Sequence, residues 1–83
     1  MTQTTAGPEW TRGEAALTRE WTFGDFAAAL AFVNRVGELA EAQGHHPDIL
    51  LHDFNRVHLT LSTHSAGGLT AADDQLAAAL DAL

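Results

Sequence analysis

Hydrophobic positions between Glu9 and Phe23 alternate instead of recurring at helical steps. Trp10 begins a short strand, and Arg12-Gly13-Glu14 reads as a hairpin turn in which the glycine supplies the unusual backbone angle. Beyond it, Leu17, Trp21 and Phe23 share one face with Arg19 between them, while Thr18, Glu20 and Thr22 share the other. That is the pattern of a strand with one side in a core. The period then changes. Asp25 is a good N-cap, and Phe26, Leu30, Val33, Val36 and Ala40 recur at three- and four-residue steps, with Phe32 and Leu39 widening the stripe. Gly44 stands where a helix-ending glycine belongs, and Pro47 forbids further helix.

Alternation returns after Pro47. Asp48 to His52 is a short apolar strand and Asp53-Phe54-Asn55 a turn. Arg56 to Thr63 is a second strand, with Val57, Leu59 and Leu61 on one face and His58, Thr60 and Ser62 on the other. Ser65 to Gly68 is a loop. Thr70 to Asp73 has the form of a capping box, with Asp in place of the usual Glu, and starts a last helix that buries Leu76, Leu80 and Leu83. The order strand-strand-helix-strand-strand-helix predicts an α+β fold, a four-stranded antiparallel sheet with the helices packed on one face. Residues 1–8 are expected as a loose tail, leaving 9–83 as a single domain.

Composition adds a constraint. Of the 83 residues 46% are apolar, but 16 are Ala, so large core formers are few. A domain of this size buries only about 60% of its unfolded-chain surface, and with no Cys neither a disulfide nor a zinc-thiolate site can brace it. Association between copies is the expected source of further burial. Four Arg and no Lys face eleven acids, a net charge of −7 with His neutral. A basic nucleic-acid footprint and a polybasic membrane anchor are both missing, and no apolar run approaches the roughly 20 residues of a membrane span. A cytoplasmic protein with a small neutral or cationic ligand is the expectation.

The five histidines are the anomaly. His45 and His46 follow a helix end and are locked by Pro47; His64 ends the best strand, next to Thr63; Asp73 lies in the first turn of the last helix. If the third and fourth strands form a hairpin, position 47 returns beside 63 or 64, and the three histidines converge at one sheet end. Imidazoles titrate near pH 6.5, so such a cluster can hold an acid and a base together. Glu41, one turn before His45, is placed to orient a ring. Structural readings stand beside each of these. The histidine pair can cap helix carbonyls, Asp73 can be a capping residue, His52 and His58 can be sheet surface, and Trp10 and Trp21 can be core unless one walls a flat ligand. Metal is a rival reading, but zinc helices usually offer His at i and i+4, not adjacent, and no Cys assists. No serine sits on a glycine-flanked elbow, and no glycine-rich phosphate loop exists.

From Phe23 to Ala82, about three-quarters of the chain, the string resembles the pterin-4a-carbinolamine dehydratase family. The pieces that carry the likeness are FGDF, then HHPD preceded by AE, then FNRVHLTLSTH, then GGLTAADDQLA. The resemblance implies an antiparallel four-stranded sheet with helices on one face, assembled as a homodimer or homotetramer. It implies a hydro-lyase that dehydrates 4a-hydroxytetrahydropterin to the quinonoid dihydropterin without metal or cofactor, recycling the pterin used by aromatic amino-acid hydroxylases. His45, His46 and His64 take the positions of the catalytic histidines. Glu41, Asp73 and Trp10 take those of substrate-contacting residues, with Pro47 and Thr63 beside them.

Two departures qualify the likeness. Members usually carry a helix before the tryptophan strand, where this chain has only eight residues, so either its start lies upstream or this member is trimmed, and the outer layer and oligomer contacts are expected to differ. The hairpin after Pro47 is one residue longer, with Asp53 the extra one. Some members act instead as dimerisation cofactors of a transcription factor or resemble assembly chaperones. Such an interaction module is the alternative, although the full histidine set here favours the enzyme.

Overall fold

The computed structural model describes residues 7–83. Six elements follow in order: β1 (Thr11–Arg12), β2 (Leu17–Thr22), α1 (Phe26–Gln43), β3 (Asp48–His52), β4 (Arg56–Leu61) and α2 (Ala71–Asp81), with a 3₁₀ turn over His64–Ala66. The strands form one antiparallel sheet in the order β1-β2-β4-β3. It is the α+β architecture expected, with the helices against one face.

Register assigns the two faces. Leu17 lies opposite Leu61, Arg19 opposite Leu59 and Trp21 opposite Val57, and Ile49 and Leu51 continue those rows onto β3. Leu17, Val57, Leu59 and Leu61 are fully buried, together with Val36 of α1 and Leu76 and Ala77 of α2. The other face carries Thr18, Glu20, Thr60, His58 and Leu50 in adjacent positions. There His52 Nε2 lies 2.7 Å from Glu20 Oε1, and His58 Nδ1 lies 3.6 Å from the same oxygen. The hydrogen bond from His52 is the main cause that holds the Glu20 carboxyl below its usual range; desolvation opposes it, and the charges of His52, Arg56 and His58 assist.

Several sequence expectations shift. The stripe of α1 that enters the core runs through Ala29, Phe32, Val36 and Ala40, whereas Phe26 is 50% and Leu30 43% exposed. Val36, Ala40 and Phe32 are in the core as the periodicity predicts, but Ala29 takes the place expected of Phe26 and Leu30. Phe32 is then pinned by Trp21 and Phe23, at centroid distances of 4.9 and 5.1 Å. The β1–β2 reversal also lies later than expected. Arg12 is still in the strand, the Gly13 amide donates to the Ala16 carbonyl at 2.8 Å, and Gly13 is not left-handed. A connection over residues 13–16 spreads the reversal widely enough to need no such angle. Leu83 is exposed, because α2 ends at Asp81 and the chain leaves the helix axis there.

The tail expected over 1–8 falls partly outside the described residues. Gly7, which is described, is held: its amide donates to Asp81 Oδ2 at 2.8 Å, and a Cβ at position 7 would lie 2.6 Å from that oxygen. Asp81 Oδ1 also accepts from the Trp10 indole N–H and from Arg19, each at 2.7 Å. Among the described residues, no helix is long and apolar enough to cross a membrane.

Candidate active site

The end of α1 places the histidine pair. Gly44 takes a left-handed conformation (φ 63°), its amide bonds the Glu41 carbonyl at 3.2 Å, and the amide of His45 bonds the Ala40 carbonyl at 3.0 Å. Those two bonds are the Schellman ending, which satisfies carbonyls that a helix otherwise leaves open. The same geometry turns His45 inward and His46 outward, their side chains being 14% and 65% exposed. Pro47, half-buried, then leads directly into β3 at Asp48.

The start of α2 supplies the partner. Thr70 caps it, and Asp73 returns its Oδ2 to the Thr70 amide at 2.9 Å, the reciprocal arrangement of a capping box. Asp73 does more than cap. Its Oδ1 lies 2.6 Å from His45 Nε2, and its Oδ2 also accepts from the Thr63 hydroxyl at 2.8 Å. The side chain is fully buried, and burial raises its pKa; the hydrogen bonds from His45, the Thr70 amide and Thr63 outweigh that and hold it below the usual carboxylate range. His46 pairs with Glu41 through Nε2, both facing solvent.

The hairpin of β3 and β4 brings the third histidine round. Beyond β4, Thr63 exchanges backbone hydrogen bonds with Gly68 at 2.9 and 3.3 Å, and that small loop presents His64. Gly44, His45, His46, Ser62, Thr63, His64 and Ser65 line an open cavity of about 260 Å³. Glu41 and Asp73 stand behind it, each bonded to one of its histidines. The arrangement offers imidazole edges around one concave surface, one ring held by a buried carboxylate and another by a solvated one. Proton transfer to and from a bound molecule is the chemistry such groups support.

Trp10 does not join them. It is buried against Trp21, ring centroids 5.5 Å apart, and its indole N–H is spent on Asp81. Just before β1, it packs in the core against Trp21 and the end of α2, and it does not line the cavity with the histidines. A second, more apolar cavity of about 360 Å³ lies between Trp21, Phe23, Phe32, Arg35 and Leu83, apart from the histidines. The sequence reading missed the part of Thr70, whose hydroxyl meets that of Thr63 at 2.8 Å; the only signal in the sequence was its capping position. Among the described residues, no group of three or more His, Cys, Asp or Glu is arranged to hold a metal ion.

Comparison with known proteins now bears on this geometry. A Gloeobacter violaceus protein provisionally named pterin-4-alpha-carbinolamine dehydratase 2 is 57% identical over 68 residues, 82% of this chain and 73% of its own length. An Acidobacterium capsulatum protein with the same provisional activity in its name is 53% identical over 76 residues, 92% of this chain and 82% of the relative. Among solved structures, a transcriptional coactivator/pterin dehydratase from Brucella melitensis superposes with a TM-score of 0.82 at 36% identity, covering 90% of this chain and 81% of that one. A pterin dehydratase-like protein identified as a RuBisCO assembly factor in the alpha-carboxysome superposes with a TM-score of 0.69 at 27% identity, covering 88% and 83%. The family model described as pterin 4 alpha carbinolamine dehydratase matches residues 1–83. With sequence, fold and the order of the histidine segments in agreement, this chain belongs to the pterin 4 alpha carbinolamine dehydratase family.

Proposed function

We propose that this protein dehydrates 4a-hydroxytetrahydropterin to the quinonoid dihydropterin by histidine acid–base catalysis. The observation that carries the reading is the cavity in which His45, backed by Asp73, faces His46 and His64. In the reaction the C4a–O bond breaks and the oxygen leaves as water after accepting a proton. A ring N–H gives its proton to a base, and its electron pair forms the new C=N bond. Acid and base must act on one bicyclic molecule together, and each contributes about 10²–10⁴-fold when well placed. His45, His46 and His64 are the proton-handling groups in this reading. Pro47 fixes the direction of the pair, Glu41 orients His46, and Asp73 orients His45.

The test is dehydration of chemically generated 4a-hydroxytetrahydropterin, followed by absorbance against the spontaneous rate. Acceleration that disappears in a His45→Ala, His46→Ala variant of unchanged fold supports the reading. No acceleration by the folded wild-type protein would overturn it and favour an interaction module, a reading in line with the assembly factor that superposes here. Self-association into a dimer or tetramer belongs to the same reading. Phe26, Leu30 and Leu50 are exposed apolar residues that it would cover, and light scattering measures it directly.

A further inference from the structure

Hydrogen-bond direction within the buried polar cluster is over-determined. The Thr70 amide can only donate, and it points at Asp73 Oδ2 from 2.9 Å. The Thr63 hydroxyl lies 2.8 Å from the same oxygen, where a carboxylate can only accept. Having spent its proton there, Thr63 must accept from the Thr70 hydroxyl at 2.8 Å. Thr70 Oγ1 in turn accepts from the Ala72 amide at 3.3 Å. Oδ2 is thus occupied by two donors, and Oδ1 remains for His45 Nε2 at 2.6 Å. An acceptor on the aspartate demands a proton on the imidazole nitrogen. The other ring nitrogen of His45, Nδ1, has no hydrogen-bond partner among the described residues, and the ring lines the cavity.

We infer that the Thr70–Thr63–Asp73 chain is a tautomer lock on His45, fixing its proton on Nε2 and leaving Nδ1 as the free base of the cavity, with Thr63 a positioning residue instead of a ligand contact. This rests on the proposed dehydratase reading only for its consequence, which is that His45 accepts the ring N–H proton at Nδ1 and the leaving oxygen takes its proton from His46 or His64. The lock itself is a property of the ligand-free protein. Each donor in the chain is held by backbone: Thr63 by its two bonds with Gly68, and Thr70 by its place at the start of α2.

The lock makes an unusual demand of Asp73→Asn. An amide has one oxygen, and the Thr70 amide and Thr63 hydroxyl both claim it at the Oδ2 position. The NH₂ must then face His45 Nε2, forcing the proton of neutral His45 onto Nδ1. The equivalent carboxylate-to-amide change behind a triad histidine keeps geometry and traps the wrong tautomer, with a rate loss of about 10⁴.

The experiment is ¹⁵N NMR of the imidazole rings in ligand-free protein at a pH where His45 is neutral, with His45 assigned by the His45→Gln variant. Wild type is expected to show a protonated Nε2 and an unprotonated Nδ1, and Asp73→Asn the reverse. A tautomer mixture in wild type, or the same tautomer in both proteins, overturns the lock. Thr63→Val, isosteric and suited to the extended backbone there, tests the threonine. It is expected to speed exchange of the Nε2 proton and to lower turnover by about tenfold, while Thr63→Ser restores both. An unchanged Nε2 proton in folded Thr63→Val would remove Thr63 from the chain. If the tautomers behave as stated but wild type dehydrates nothing, the lock stands and the dehydratase reading fails.

Discussion

His45 Nε2 and Asp73 Oδ1 meet at 2.6 Å across 28 positions of sequence, joining the end of α1 to the start of α2. The bond couples the candidate site to stability. Burial pushes the Asp73 carboxyl up, but hydrogen bonds from His45, the Thr70 amide and Thr63 bring it below the usual value of 3.8. A depressed folded-state pKa gives stability that is present above the unfolded value and lost as pH falls through the folded one. Wild-type stability in denaturant is therefore expected to fall below about pH 4, with Asp73→Asn flatter through the same window. Parallel curves for the two proteins would show that the carboxylate is not linked to folding.

Single replacements separate the histidines by role. His45→Ala, His46→Ala and His64→Ala should each lower dehydration by about 10²-fold or more while the unfolding midpoint of His64→Ala stays unchanged. Glu41→Gln should cost less than about tenfold, because Glu41 and His46 both face solvent, where charge interactions are screened. His58→Ala is the control, since that ring meets Glu20 on the opposite sheet face. A loss at His58 equal to that at His45 would contradict the site.

Asp81 gathers three donors from three parts of the chain: the Gly7 amide, the Trp10 indole and the Arg19 guanidinium. Asp81→Ala leaves the indole N–H of a buried ring without its partner, a cost of about 1–3 kcal/mol. For a domain this small each kcal/mol moves the unfolding temperature by about 4–8 °C. Calorimetry should show a drop of at least about 4 °C with dehydration otherwise retained, and no drop would mean that the three bonds are made to water as readily.

The face of α1 is testable in the same way. Phe32→Ala removes a ring packed on Trp21 and Phe23 and should cost about 3–5 kcal/mol. Phe26→Ala, at a half-exposed position, should change dilute-solution stability by less than about 1 kcal/mol. Equal effects would restore the stripe that periodicity alone suggests.

The α+β order, the strand phases of Val57, Leu59 and Leu61, the Asp25 and Thr70 caps and the Gly44 ending were all legible in the chain, because each depends on a residue and its near neighbours. The convergence of His45 and His64 was legible too, through the arithmetic of a hairpin. Phe32, Val36 and Ala40 of α1 were legible as core, but that Ala29 is buried while Phe26 and Leu30 stay exposed was not, because the exact angle of a helix on its sheet depends on the packing of the whole domain. For Trp10 the sequence left core and ligand wall both open, and its burial with a bond to Asp81, 71 positions away, places it in the core. The sequence by itself determined the elements and the supply of imidazoles. Only the tertiary structure decided that Asp73 would be buried against His45 with two threonines behind it, since hydrogen-bond direction depends on which groups are enclosed together.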